Sequence, residues 1–199
     1  MLRMVCIVWW LFAGAVAPTD SFDKIKRELS QAACARFEFV SVIESEVFET
    51  ADSAFGRAYI ARDGRFLVTL GSDIYLNDGR CLYSYSAENN QVIMETKADS
   101  AEPIREISFL TRLDAIYTTF PVRSGETYRL LKKPGQDSQT PDSLTVFIDR
   151  RTRRLERLEY FDINDERTII HIRSQQSDDS CDDKRFTPDF PESAERIRL

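Results

Sequence analysis

The residues of this 199-residue chain that could do chemistry are few, and their spacing does not suit catalysis. His171 is the only histidine. It falls in a strand-like run, Thr168–Arg173, where it reads as a structural or exposed residue rather than a general base. No Gly-x-Ser-x-Gly elbow, His-Glu-x-x-His pair, phosphate loop or dinucleotide fingerprint is present. The acidic residues Asp178, Asp179, Asp182 and Asp183 have oxygens suited to Ca²⁺ but lack the loop pattern and glycine of an EF-hand. Cys34, Cys81 and Cys181 are spaced far from any zinc pattern. Arg150, Arg151, Arg153 and Arg154 crowd one turn, where they suit either an anionic docking surface or a solvated hairpin tip. This inventory implies no enzyme, no metal and no cofactor. A net charge of −6 argues against nucleic acid as a partner.

The N-terminus reads as a targeting segment. Arg3 supplies the positive end, Val5 to Phe12 the apolar stretch, and Ala13-Gly14-Ala15 and Ala15-Val16-Ala17 the small residues of a cleavage site. Residues 1–17 are therefore expected to be a signal peptide, cut after Ala15 or Ala17, with 18–199 as one exported domain. The apolar stretch is short against the roughly 20 residues of a spanning helix. Cys6 lies inside that stretch, so no cysteine stands where lipid attachment would require one. Export permits disulfides, but three remaining cysteines leave at least one unpaired or bridging to another chain. Spacing does not assign a pair, and each also suits a small buried site.

The elements that would position side chains are mostly strands. Asp20 to Ala35 has Phe22, Ile25, Leu29 and Ala32 or Ala33 at helical spacing, giving one apolar stripe to lay on a sheet. Strand patterns follow over Arg36–Glu49, Ala54–Ala61, Phe66–Leu70, Ile74–Leu76, Cys81–Ser86 and Gln91–Lys97. Turns at Asp63-Gly64, Gly71-Ser72, Asp78-Gly79 and Asn89-Asn90 separate the later ones. Pro103 to Phe120 returns to helical spacing and is expected to stop at Pro121. Strands resume at Thr127–Lys132, Leu144–Asp149, Leu155–Phe161 and Thr168–Arg173, with a possible last strand in the tail. The fold class is thus mainly β (α+β). About ten to eleven antiparallel strands would form an incomplete, strongly curved barrel, because a sheet of that size curls, and the helices would cover its concave face.

One block of residues is more specific. Arg62 ends a strand, Phe66 opens the next, Asp78-Gly79 leads into Leu82-Tyr83-Ser84-Tyr85, and Gln91-Val92 follows. With the leading helix and the late Phe186-Thr187-Pro188 and Phe190-Pro191 segment, this pattern resembles the periplasmic outer-membrane lipoprotein carriers of the LolA type. Two features depart from that pattern: Asp63 stands where the family commonly has proline, and the strand aromatics are Tyr and Phe rather than Trp.

The resemblance implies a periplasmic carrier whose open barrel, closed by helices, shelters the acyl chains of lipoproteins. It implies an inner-membrane ABC transporter as donor, an outer-membrane acceptor, transient membrane proximity and a monomer. Arg62 matches the family arginine that holds the lid helices closed. The expected liners of the apolar space are Phe37, Phe39, Tyr59, Phe66, Val68, Ile74, Leu82, Ile93, Leu110, Leu113, Ile116, Tyr117, Val146, Leu158 and Ile170, and each also suits plain core packing. A lipid-sensing regulator, or a carrier of another lipid or glycolipid, is the alternative on the same scaffold.

Overall fold

A computed structural model describes residues 21–45, 49–96, 108–123, 126–136, 140–162 and 165–199. Helix α1 (Ser21–Gln31) leads into a run of strands: β1 (Cys34–Ser45), β2 (Thr50–Ala61), β3 (Phe66–Leu70), β4 (Asp73–Asn77), β5 (Cys81–Ser86) and β6 (Gln91–Thr96). A 3₁₀ turn over Ser108–Arg112 runs into a short helix, α2 (Leu113–Ile116). Then come β7 (Tyr117–Arg123), β8 (Thr127–Lys132), β9 (Ser143–Ile148), β10 (Leu155–Phe161) and β11 (Arg167–Asp178). A 3₁₀ turn (Asp183–Phe186) precedes the last strand, β12 (Glu195–Arg198).

The strands form one curled, unclosed sheet in the order β12-β6-β5-β4-β3-β2-β1-β11-β10-β9-β8-β7. Neighbours are antiparallel except β12, which lies parallel to β6. The long strand β1 is the hub, pairing β2 on one side and β11 on the other. Its register with β11 slips after Glu38, where Arg173 is the extra residue, and such a bulge bends and twists the sheet. Turn chemistry fixes the hairpins. Gly64 and Gly79 both take φ +91°, the left-handed region that L side chains avoid. The Asp78 carboxylate accepts from the Arg80 and Cys81 amides, each at 2.7 Å, holding the second turn.

Both faces of the sheet carry apolar packing, the outer one over part of its extent. On the inner face, side chains from β1, β2, β3, β5, β8, β9, β10 and β11 join α1 and residues 109–117 in one apolar core. On the outer face, the tail folds back over β2 to β6. Phe186 packs on Cys34, Ala61 and Leu76, and Phe190 stacks against Tyr83 and Tyr85.

Among the described residues the sheet has twelve strands, close to the ten to eleven expected. One expectation needs correcting. The helical pattern over Pro103–Phe120 is helical only from Ser108 to Ile116 among the described residues. Tyr117 to Phe120 instead begin β7, which passes through Pro121 without stopping. The aromatic and β-branched run Tyr117-Thr118-Thr119-Phe120 favours a strand. Because β7 is an edge, the missing N–H of Pro121 costs little.

Candidate functional site

The site is the inner face together with the helix laid across it. Phe22, Ile25 and Leu29 recur along α1 and are at most 2% exposed, so the whole apolar stripe is pressed onto the sheet. Polar tethers hold the helix at three levels. At its start, Arg153 donates to the Ser21 hydroxyl at 2.9 Å. In its middle, Lys26 donates to Asp114 at 2.6 Å and pairs with Asp23 at 3.1 Å, which ties α1 to α2. Burial works against the Lys26 charge, but the hydrogen bonds to Asp114 and Asp23 outweigh it and raise its pKa. At its end, Arg62 Nε donates to the Ala32 carbonyl at 3.2 Å, and its Nη2 donates to the Gln31 carbonyl. A cation is well placed there, because the last carbonyls of a helix lack partners and carry partial negative charge.

Arg62 reaches α1 because the β2–β3 turn is fixed locally. The Arg62 amide donates to the Ala33 carbonyl at 3.1 Å. Asp63, the departure from the family pattern, accepts from the Arg65 amide at 3.1 Å and from Arg65 Nε at 2.8 Å. Its carboxylate thus holds the turn by hydrogen bonds that a proline would not make.

Twelve of the fifteen expected liners fall in the inner core: Phe37, Phe39, Phe66, Val68, Leu82, Leu110, Leu113, Ile116, Tyr117, Val146, Leu158 and Ile170. Ile93 pairs Ser84, next to Leu82, and its register places it on the same face, partly buried near the sheet's edge. Tyr59 and Ile74 are corrections. Tyr59 packs in the outer cluster under the guanidinium of Arg185. Ile74 shares the face of Leu76, which is also outer. Both strands are apolar on two faces, because the tail covers the second one, so alternation gave the period without the side.

The inner wall is otherwise mostly aliphatic and aromatic; Ser41, Thr168 and Gln175 are its buried polar side chains, and the Ser41 hydroxyl and Gln175 Oε1 have no hydrogen-bond partner among the described residues. Tyr117 donates its hydroxyl to the Pro141 carbonyl at 3.2 Å, and burial raises its pKa strongly. The signal segment 1–17 and the first helical residues, Pro103 to Ile107, lie outside the described residues.

Several of the other candidates for chemistry are engaged in structural contacts, and none lies on the inner face with the apolar core. His171 sits on the outer face of β11, opposite Val40 and Arg157. Asp183 pairs with Arg65 at 2.8 Å, and Asp182 accepts from the Lys184 amide at 3.1 Å. Among the described residues, no group of three His, Cys, Asp or Glu side chains is arranged to hold a metal. The arginine turn is likewise engaged: Arg150 pairs with Glu126 at 3.1 Å, and Arg154 donates to the Gln175 carbonyl at 2.7 Å. The tethers Ser21–Arg153 and Lys26–Asp114 escaped sequence reasoning, because each joins residues about 90 or more positions apart.

This arrangement is an open, curled sheet with helices over its inner face. No protein-family model matches the sequence, and no curated protein matches it. Among solved structures, the chain is similar to an uncharacterized conserved protein of Thermus thermophilus, with a TM-score of 0.51 at 13% identity over 90% of this chain and 97% of that one. It is also similar to a LolA superfamily protein of Nitrosomonas europaea, with a TM-score of 0.46 at 11% identity over 86% and 99% of the two chains. A third similar structure is the Mycobacterium tuberculosis lipoprotein LppX, with a TM-score of 0.40 at 10% identity over 78% and 92%.

Proposed function

We propose that this protein is a lipoprotein carrier. Behind a cleaved leader (1–17), the domain 18–199 takes acylated lipoproteins from an inner-membrane ABC transporter. It shields their acyl chains across the periplasm and passes them to an outer-membrane acceptor. It acts as a monomer, without cofactor, covalent chemistry or nucleic acid.

The observation that carries this reading is the way α1 is attached. Its grip on the inner face is an apolar stripe of three side chains, each worth about 1.5–3 kcal/mol when buried. An acyl chain contributes about 0.8 kcal/mol per buried CH₂. Roughly ten methylenes therefore match the whole stripe, and a full-length chain exceeds it. A lipid is thus able to displace the helix and take its place on Phe37, Phe39, Val68 and Leu158, while Arg62 remains as the tether that draws the lid back. Cargo and lid compete for the same apolar wall, so release follows from reclosure, with direction set by the donor and acceptor membranes.

Incubating the purified mature protein with spheroplasts of its source organism tests this. Newly made lipoproteins are expected in the supernatant in a stable complex with the protein. An absence of lipoprotein release would overturn the reading. If free lipid co-purified with the protein in that case, a lipid sensor or a carrier of another lipid would replace it.

A further inference from the structure

The outer face holds a pair of thiols that the carrier reading does not use. Cys34 opens β1 and is buried. Its partner across the ladder is Asp178, where β11 ends and the chain turns back over the sheet. Three residues on, Cys181 packs into the cluster formed by Cys34, Ala61, Leu76 and Phe186. The two thiols thus share one small cluster, and burial together with Cys34 pushes the Cys181 pKa up to about 12. Cys81 lies in the same row of the sheet, but β2, β3 and β4 separate its strand from β1. Four strand spacings put it about 19 Å from Cys34 along the sheet, beyond the roughly 7 Å limit for a disulfide.

We infer that Cys34 and Cys181 form the one intramolecular disulfide of the exported protein, with Cys81 as its free thiol. The inference rests on the export reading, since such bonds persist in oxidising compartments. In the reaction two thiols lose two protons and two electrons and gain one S–S bond. The electrons pass to a disulfide oxidant by exchange. One thiolate attacks the oxidant to give a mixed disulfide and expel a first thiolate. The second cysteine then displaces the other half of the oxidant as a second thiolate. A buried, protonated Cys181 makes that second step slow unless the tail lifts or a catalyst takes part.

The position of the bond gives it a purpose. Cys34 follows Ala32 and Ala33, the two residues after the end of α1, and Ala33 donates to the Asp178 carbonyl at 3.0 Å and accepts from the Arg62 amide at 3.1 Å. A bond there fastens the root of the tail to the pivot of the lid and leaves the inner face untouched. It also closes a loop of about 150 residues, the kind of crosslink that most constrains the unfolded chain.

The test is peptide mapping. Protein taken from the extracytoplasmic fraction of the source organism is denatured, alkylated without reduction, digested and weighed. The expected result is a peptide joining Cys34 to Cys181, with Cys81 alkylated. The purified reduced protein should form the same link in oxidised glutathione and melt on the order of 10 °C higher. Cys34→Ser should abolish that shift, and Cys81→Ser should retain it. A link through Cys81, or three alkylated thiols after oxidised glutathione, would overturn the pairing. A chain that keeps its leader and has all four cysteines free when isolated, yet links Cys34 to Cys181 in glutathione, would instead overturn export and with it the bond in the cell.

Discussion

The tip of the Phe39 ring fills the space that a side chain on Gly56 would occupy: a Cβ built there stands 2.3 Å from Phe39 Cζ. The two residues are cross-strand partners on β1 and β2, and Phe39 is fully buried at the centre of the inner face. Gly56→Ala must therefore displace a ring from a packed wall. Overpacking of this kind costs about 1–3 kcal/mol. The expected outcome is a lower urea midpoint with an unchanged slope. Phe39→Leu in the same chain should recover part of the loss, because the two changes share one space. An unchanged midpoint for Gly56→Ala would mean that the inner wall is looser than its burial indicates.

Arg62 should matter more for the lid than for stability. The side chain is exposed, its bond to the Gln31 carbonyl is open to solvent, and its bond to the Ala32 carbonyl is only partly buried. Arg62→Leu is expected to cost no more than about 1 kcal/mol in denaturant. The same variant should speed amide exchange across Phe22 to Gln31 and lower transfer from carrier to acceptor membranes while preserving lipoprotein release from spheroplasts. Arg62→Lys, which keeps the charge but not the fork of donors, should fall between the two. Normal transfer by Arg62→Leu would remove the latch role.

Much of this architecture is written locally. β3, β5, β8 and β10 have the bounds that alternation predicts, because each is a short run closed by a turn whose chemistry is explicit, such as Asp78-Gly79. The α1 stripe is legible for the same reason: its period is unbroken. What local pattern does not carry is the identity of each face. Tyr59 and Ile74 have the same alternation as Val68, yet they point into a second apolar layer created by Phe186 and Phe190, more than 100 residues away. The tail itself has no periodicity to read, since it lies on the sheet through two aromatic anchors and joins it only at β12. Pro121 misleads because a breaker of helices is tolerated at an edge strand. Sequence thus locates the elements, while long-range packing decides which wall each residue joins.

Two tyrosines set the alkaline limit. Burial, with Asp78 and Cys81 adding to it, pushes the Tyr83 pKa up to about 12, and burial together with Asp142 raises Tyr117 further. The folded protein therefore keeps protons that the unfolded chain releases near pH 10. Stability from these groups is level below about pH 10 and is lost as the pH rises from there towards 12. Denaturation followed at pH 8 to 12 should show this fall, with tyrosinate absorbance appearing as the protein unfolds. Tyr117→Phe should flatten the alkaline fall while costing about 1 kcal/mol at neutral pH, the worth of its bond to the Pro141 carbonyl.

The last prediction separates the two faces of the sheet. Phe186 is 3% exposed, packed on Cys34, Ala61 and Leu76, and covered by the Arg65 guanidinium 4.9 Å from its ring centre. Arg65 is itself held over that ring by Asp63 and Asp183, each at 2.8 Å. Phe186→Ala leaves a hole that these short-tethered neighbours are poorly placed to fill, so a cost of about 3–5 kcal/mol is expected. Phe120→Ala is the control: that ring is 47% exposed on the edge strand β7, and its loss should stay within about 0.5 kcal/mol. The hole lies on the far side of the sheet from Phe39, Val68 and α1. Below its lowered melting temperature, Phe186→Ala should therefore release lipoproteins from spheroplasts as well as the parent protein does. If release failed while the protein was still folded, the tail would belong to the cargo site, and the inner face would not be the whole of the carrier.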